Sequence, residues 1–376
     1  MSEERYLLTP GPLTTSATTR AAMQRRDWGS RDGDFIALTR RVRDRLCRLA
    51  GAERTHACVL LQGSGTFAVE ATIQTFLPRD GGSLLVLVNG AYGRRMVEIA
   101  QRLGRTVSVL ESAEERPVDP AEVAARLDRE PEVTHVALVH CETTSGVLNP
   151  LAPIADEVAR RGKCLLLDAM SSFGALPIDA TAAPFDVLMA SSNKCLEGVP
   201  GIGIVIAATE VLAASRGNAS SLSLDLHDQW QGFERTGQWR FTPPTHVLAA
   251  LDAALDQHEA EGGVATRSAR YVANCRALVA GMRRLGFAPV VAEADQAPII
   301  VTFDRPPGLD FEAFYDRLAE RGFVIYPGKV MRRDTFRIGC IGAIDETVIA
   351  NALAAIEETL REMRVDPRAV LPLAGE

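Results

Sequence analysis

The chain has 376 residues, 47% of them hydrophobic and 24% charged, with a formal net charge of −7. At roughly 150 residues per domain this is material for two or three domains with a sizeable core, and such a composition excludes a disordered chain. The acidic balance excludes nucleic acid or an anionic membrane as the main partner, since both need a basic footprint. No apolar run reaches the roughly 18 residues of a membrane span. The opening MSEERYLLTPGP is charged and then interrupted by proline, so it does not read as a signal peptide, and a cytoplasmic location is expected.

From about residue 56, short apolar runs alternate with amphipathic stretches. ACVLLQ (57–62), SLLVLV (83–88), TVSVL (106–110), THVALV (134–139), KCLLLD (163–168), FDVLMA (185–190) and GIGIVIA (201–207) predict buried strands. Between most of them lie helical patterns such as FAVEATIQTFL, RRMVEIAQRLG and IADEVARRG. Alternation of this kind predicts a mostly parallel, seven-stranded sheet covered on both faces, in one large α/β domain. THVLAALDAALDQHEAEG and ATRSARYVANCRALVAGMRRLGF then show helical periodicity, each ending near glycine. APVVA, PIIVTF, FVIYP and TFRIGC follow as expected strands, with FEAFYDRLAERG and ETVIANALAAIEETLREM as helices, a smaller α+β domain. The expected division is an N-terminal segment 1–15, a large domain 16–245, and linking helices with a small C-terminal domain over 246–376. The tail VDPRAVLPLAGE is expected to be loosely ordered.

Ligands of open α/β sheets bind beyond the carboxyl ends of the strands. The residues that follow the apolar runs are Gln62-Gly63-Ser64-Gly65-Thr66, Asn89 to Gly93, His140 to Thr144, Asp168 to Ser172, and Ser191 to Lys194. Small and polar residues thus collect at one edge. G-S-G-T-F-A fits a loose dinucleotide pattern, yet the next strand ends in Asn89-Gly90 without the acid that would hold a ribose. What remains is a turn whose Gly63 and Gly65 allow close backbone approach, and a following helix that offers free N–H groups to a phosphate. Read alone, the turn fits an ordinary helix N-cap equally well.

Only three of the 41 Lys+Arg residues are lysines: Lys163, Lys194 and Lys329. Arginine replaces lysine as a charge but not as an amine nucleophile, because it stays protonated. Lys163 fits a solvated turn, whereas Lys194 follows a buried strand at the ligand edge. Asp168 ends a neighbouring strand run, where a carboxylate could also cap a helix or bind a metal. A phosphate cradle, a strand-end aspartate and a strand-end lysine together point to pyridoxal phosphate. The seven cysteines include no C-x-x-C, Cys58 and Cys164 read as small hydrophobes, and the six histidines include no H-x-H or H-E-x-x-H, so no metal site is expected.

From about residue 6 to about 360 the sequence resembles the class V aminotransferases of fold type I. The stretches that carry the resemblance are YLLTPGPLTTS, LLQGSGTFAVEA, NGAYGRRM, HCETTSGVLNP, DAMSSFGALPID, SSNKCLEGVPGIGIVIA, SLSLDLHDQW, WRFTPPTH, GFVIYPGKV and FRIGCIG. DAMSSFG, NKC-x-x-GVPG and SLSLDL, in that order, are most similar to the members that act on 2-aminoethylphosphonate. The resemblance implies a homodimer with sites at the subunit interface and pyridoxal 5'-phosphate as cofactor. It implies transfer of the amino group of 2-aminoethylphosphonate to pyruvate, giving phosphonoacetaldehyde and L-alanine in phosphonate breakdown. It implies that Lys194 carries the cofactor and moves the proton, that Asp168 pairs with the pyridinium nitrogen, and that Tyr92 stacks on the ring. Ser64, Gly65 and Thr66 would hold the phosphate with Asn193 and with Thr242 from the neighbouring subunit. Thr143 would touch the ring hydroxyl, and Arg337 would bind the anionic end of both substrates.

The segment RDWGSRDGDF departs from the family, which has an acidic or aromatic residue where this chain has Arg31 or Gly33. Backbone N–H groups near Gly11, or Arg332 or Arg333, are the other candidates for the phosphonate. The alternatives are another class V transaminase, such as one pairing alanine or serine with glyoxylate, a phosphate-binding module without catalysis, and a nicotinamide dehydrogenase. A cysteine desulfurase is disfavoured because no cysteine sits in an evident loop, with Cys340 expected in a strand.

Overall fold

The computed structural model of the chain describes residues 5–328 and 333–370. Lys329, Arg332 and the last six residues of the tail lie outside them, while Pro367–Val370 forms a short 3-10 turn. Seven strands form the main sheet: β1 (His56–Gln62), β2 (Ser83–Val88), β3 (Thr106–Glu111), β4 (His135–Val139), β5 (Cys164–Asp168), β6 (Val187–Ser191) and β7 (Ile202–Ala208). Their order is β1-β7-β6-β5-β4-β2-β3, and all neighbours are parallel except β7, which runs against both β1 and β6. This is the expected α/β fold. β2, β4, β6 and β7 are buried along their whole length, as continuous apolar strands covered on both faces must be. β3, at the edge, is the exposed one and carries polar residues at its ends.

The covering helices include α1 (Gly33–Leu49), α2 (Gly65–Phe76), α3 (Ala91–Arg102), α4 (Pro120–Arg129), α5 (Leu151–Arg160) and α6 (Leu226–Thr236). α1 is an element that the sequence reading lacked. Its Phe35, Leu38, Val42 and Leu46 repeat at helical spacing and are all buried, but arginines between them dilute the pattern. Register places Gln62 opposite Ile202, Gly203 opposite Ser191, Asp168 opposite Met189, and Val139 opposite Asp168. One sheet edge therefore holds the ends of β1, β4, β5 and β6 and the start of β7.

Two long helices, α7 (Thr245–Glu261) and α8 (Gly263–Leu285), lead to a second core. There β8 (Ile300–Asp304), β9 (Tyr326–Pro327) and β10 (Thr335–Gly339) form an antiparallel sheet in the order β8-β10-β9. It packs against α8, α9 (Phe311–Glu320) and α10 (Glu346–Met363) around Phe303, Phe314 and Phe336. APVVA is not a strand: Pro289 makes an isolated bridge to Phe303 and the Val290 N–H donates to Thr302 O at 2.9 Å, but the pairing goes no further, and proline brings no N–H of its own to extend it. FVIYP divides, Phe323–Val324 pairing with Tyr6–Leu7 and Tyr326–Pro327 pairing with β10. Cys340 follows β10 rather than lying in it, and it remains fully buried. Among the described residues no helix is long and apolar enough to cross a membrane.

The pairing of Tyr6–Leu7 sends the N-terminal segment across the molecule, with Leu8 fully buried in the second core. Leu8→Ala removes three buried carbons and should cost about 2–5 kcal/mol of unfolding free energy. A urea midpoint equal to that of the parent chain would contradict this anchoring.

Candidate active site

β6 ends at Ser191, and the chain then turns tightly before β7. Ser192 N–H donates to Ile202 O at 3.1 Å, Glu197 N–H to Lys194 O at 2.8 Å, and Gly198 N–H to Ser192 O at 2.8 Å. Lys194 emerges from this turn, and its Nζ donates to Pro10 O at 2.8 Å and Gly11 O at 3.3 Å. Gly11 has φ +119°, and a Cβ there would lie 2.4 Å from Lys194 Cδ. Only glycine lets the N-terminal segment pass so close to the lysine stem. Burial pushes the amine down to about 8; the positive Arg337 adds to this, while Cys195 and Asp168 oppose it.

Asp168 ends β5 and is 5% exposed. Its Oδ1 accepts the Met170 N–H at 2.8 Å, and its Oδ2 accepts no hydrogen bond among the described residues. Burial pushes the carboxyl up to about 6, the Met170 N–H opposes this, and the nearby Glu142 adds to it. His140 lies beside it, its N–H donating to Asp168 O at 2.8 Å and its Nδ1 sharing a 2.9 Å hydrogen bond with Ser172 Oγ. Burial lowers this imidazole to about 4, so it is neutral at physiological pH.

The glycine turn before α2 meets the same edge. Ser64 stands at the N-cap position, but its side chain makes no capping bond, which leaves first-turn N–H groups of α2 free for an anion. A Cβ on Gly65 would sit 2.3 Å from Met170 Sδ, so this glycine allows the turn to seat against the loop that follows Asp168. Gly65 and Thr66 are half-buried and Ser64 is exposed.

Thr143 is fully buried, and its Oγ1 has no hydrogen-bond partner among the described residues. Its carbonyl accepts Arg337 Nη1 at 2.8 Å. Arg337, on β10 and 7% exposed, also donates to Pro327 O from Nη2 at 3.0 Å and lies 5.6 Å from the Tyr326 ring centroid. No described carboxylate forms an ion pair with it, and burial lowers its basicity. Tyr92, in the first turn of α3, is half-buried, with the Arg95 guanidinium 5.0 Å from its ring centroid.

The structure thus gathers Lys194, Asp168, Thr143, Arg337 and the Gly65 turn at one sheet edge. Asn193 is half-buried beside Lys194 and makes no side-chain hydrogen bond among the described residues. Thr242 is exposed and likewise makes none. Arg333 is committed to Asp304 at 2.6 Å, and Gly11 meets Lys194 through its carbonyl.

Three contributors escaped the sequence reading. Glu142 is fully buried and accepts N–H groups from Tyr92 and Thr144, each at 3.1 Å. It thereby caps α3 from another segment, and burial raises its pKa. Pro10 serves only through its carbonyl, which no side-chain pattern reveals. Tyr326 is signalled in the sequence only by its alternation with buried Ile325. With its amine near 8, Lys194 should react with an acylating reagent in the cofactor-free chain with a midpoint well below the ordinary lysine value of 10.5. A midpoint near 10.5, read by mass spectrometry of the Lys194 peptide, would contradict the burial.

The profile described as Aminotransferase class-V matches residues 15–331. The 2-aminoethylphosphonate–pyruvate transaminase 2 of Burkholderia lata is 56% identical over 367 residues, covering 97% of each chain. The 2-aminoethylphosphonate–pyruvate transaminase of Pseudomonas aeruginosa PAO1 is 55% identical over 361 residues, 96% of this chain and 97% of that one. Among solved structures, the alanine–glyoxylate aminotransferase of Nostoc sp. superposes with a TM-score of 0.90 at 26% identity, covering 96% of each chain. The pyridoxamine–pyruvate aminotransferase of Mesorhizobium loti, at 24% identity and a TM-score of 0.88 over 97% of this chain and 94% of that one, shares the fold. A profile match over most of its length, and relatives more than half identical from end to end, show that this chain belongs to the class V aminotransferases.

Proposed function

We propose that this aminotransferase holds pyridoxal 5'-phosphate at the sheet edge and transfers the amino group of 2-aminoethylphosphonate to pyruvate, giving phosphonoacetaldehyde and L-alanine. Relatives more than half identical bear that activity in their names. The residues fit the cofactor. The buried hydroxyls of Thr143 and Ser191 have no partner among the described residues, which suits the polar substituents of a pyridine ring. The uncapped start of α2, with Ser64, Gly65 and Thr66, suits a phosphate, and Asn193 and a partner subunit's copy of Thr242 would complete its cradle. Tyr92 would stack on the ring. Once bound, the cofactor supplies a protonated pyridine ring that withdraws electrons from the amine-bearing carbon.

The chain's own groups divide the remaining work. Above a pH of about 6 Asp168 is ionised, and its carboxylate would hold a proton on the ring nitrogen. Lys194, whose amine titrates near 8, is neutral often enough near physiological pH to take a proton from the substrate carbon and return it elsewhere. The observation that carries the substrate reading is Arg337, a buried cation that no described carboxylate pairs with, set against Lys194. Its planar fork fits a phosphonate in one half-reaction and a carboxylate in the other. In this reading residues 16–245 bind the cofactor and 246–376 supply the substrate anion site.

A homodimer is part of the proposal. Phe67 (48% exposed) and Phe241 (38% exposed) stand on the surface close in sequence to the phosphate turn and to Thr242, and a second copy of the chain would cover them. Seven cysteines without a disulfide fit a reducing compartment, here taken as the cytoplasm.

The decisive assay offers 2-aminoethylphosphonate with pyruvate and measures alanine, beside alanine or serine with glyoxylate. Turnover of the second pairs alone would replace this reading with a glyoxylate transaminase. Arg337→Lys should slow both half-reactions, since it keeps a charge but loses the fork. The loss of a charge-assisted hydrogen bond of about 1.5–3 kcal/mol corresponds to roughly 10–150-fold in kcat/KM. Stopped-flow traces of each half-reaction check this, and a loss confined to the pyruvate half would mean separate anion sites.

A further inference from the structure

Glu197 lies three residues beyond Lys194 and has φ 59°. Ordinary side chains adopt this left-handed conformation rarely, and it persists where surrounding contacts hold it. Here α8 does so with Arg267, Arg270 and Tyr271. Arg270 Nη2 donates to Glu197 Oε1 at 2.8 Å, and Tyr271 OH donates to the same oxygen at 2.5 Å. Arg267, 1% exposed, donates from Nη1 to Cys195 O at 2.9 Å, the carbonyl directly after Lys194. Glu261 balances the second arginine charge, its Oε2 lying 2.7 Å from Arg267 Nη2 and its Oε1 2.7 Å from Arg270 Nε. The cluster is neutral and nearly buried, and it belongs to none of the groups assigned to chemistry above.

The same helix grips the loop that follows β10. Tyr271 OH accepts the Gly342 N–H at 3.2 Å. Arg270 Nη1 donates to Gly342 O at 2.5 Å and Ile344 O at 3.0 Å, and Asn274 Nδ2 donates to Cys340 O at 3.1 Å. A single phenol hydroxyl, donating to Glu197 and accepting from Gly342, therefore joins the lysine turn to the strand that presents Arg337.

We infer that Glu197 and Tyr271 are positioning residues that fasten the Lys194 turn to the loop after β10, holding the amine buried and at a set separation from the Arg337 guanidinium. The inference deepens the proposed use of Lys194 and Arg337 and rests on it. The charged and titratable groups that bear most on Lys194 are Cys195, Asp168, Arg337 and Cys141; Tyr271→Phe changes no charge, whereas Glu197→Gln removes one that acts on Cys195 and leaves the cluster with one positive charge in excess. Any change at the amine in Tyr271→Phe then reports its placement and solvation.

The test uses the full chain with Tyr271→Phe, which keeps the ring, with Glu197→Gln, which keeps the shape, and with both. In the cofactor-free Tyr271→Phe chain the pH midpoint of Lys194 acylation should rise from about 8 toward 10.5, as a loosened turn admits water to the ammonium. In the holoenzyme kcat should fall about tenfold while the amine-donor KM stays within about twofold. The double variant should be no worse than the worse single one, because both act through one link. Should Glu197→Gln fail to fold, Tyr271→Phe carries both readouts; should Tyr271→Phe fail, the split between kcat and KM in Glu197→Gln decides. A midpoint and kcat equal to the parent's, with only the melting temperature lowered, would make the cluster a plain brace and overturn the inference, as would strictly additive losses. Acylation of Lys194 needs no substrate, so this test stands even if 2-aminoethylphosphonate proves not to be the donor.

Discussion

The structure turns on one amine withdrawn from water. An ammonium loses solvation when it is buried, and at Lys194 two carbonyls, of Pro10 and Gly11, replace only part of that shell. The result is an amine near 8, close enough to neutrality to exchange a proton under physiological conditions. Each supporting feature follows from keeping it there. The N-terminal segment must cross from the second core, where Leu8 is buried, to the edge of the main sheet. Position 11 must lack a side chain, and the turn after β6 must close on itself within a few residues.

Around this amine the buried charges are arranged in opposition. Lys194 and Arg337 are positive and mutually repelling, and Asp168 and Glu142 are acids that burial pushes upward. Glu142 accepts from the Tyr92 N–H at the start of α3, a favourable place for a carboxylate, and from the Thr144 N–H of its own segment. Arg337 donates to the carbonyl oxygens of Thr143 and Pro327. Glu142 acts on this guanidinium only at a distance and no described carboxylate forms an ion pair with it, so an anionic substrate would supply the missing partner. In the proposed reaction the same imbalance serves a phosphonate and a carboxylate in turn.

The seven strands of the main sheet were legible because buried parallel strands are continuous apolar runs, and because each run is bounded by glycine or polar residues. α1 was harder, since arginines separate Phe35, Leu38, Val42 and Leu46. APVVA misled because its composition suits a strand, while Pro289, with no N–H to donate, leaves only an isolated bridge. Lys194 and Asp168 stood out through position and, for the lysine, scarcity. Arg337 did not: among so many arginines only the resemblance to a family singled it out, and its burial without a paired carboxylate among the described residues now gives a physical reason. Carbonyl partners such as Pro10 left no trace in the residue pattern. Glu142, Glu197 and Tyr271 act through contacts between segments distant in the chain, which spacing does not encode.

Trapping the cofactor on the chain tests the central claim most directly. Full-length protein loaded with pyridoxal 5'-phosphate is reduced with borohydride, digested and mapped by mass spectrometry. The account predicts a single stable label, on the peptide that holds Lys194, and its loss in Lys194→Arg, because arginine offers a charge but no amine nucleophile. A label on Lys163 or Lys329 in place of Lys194 would contradict it.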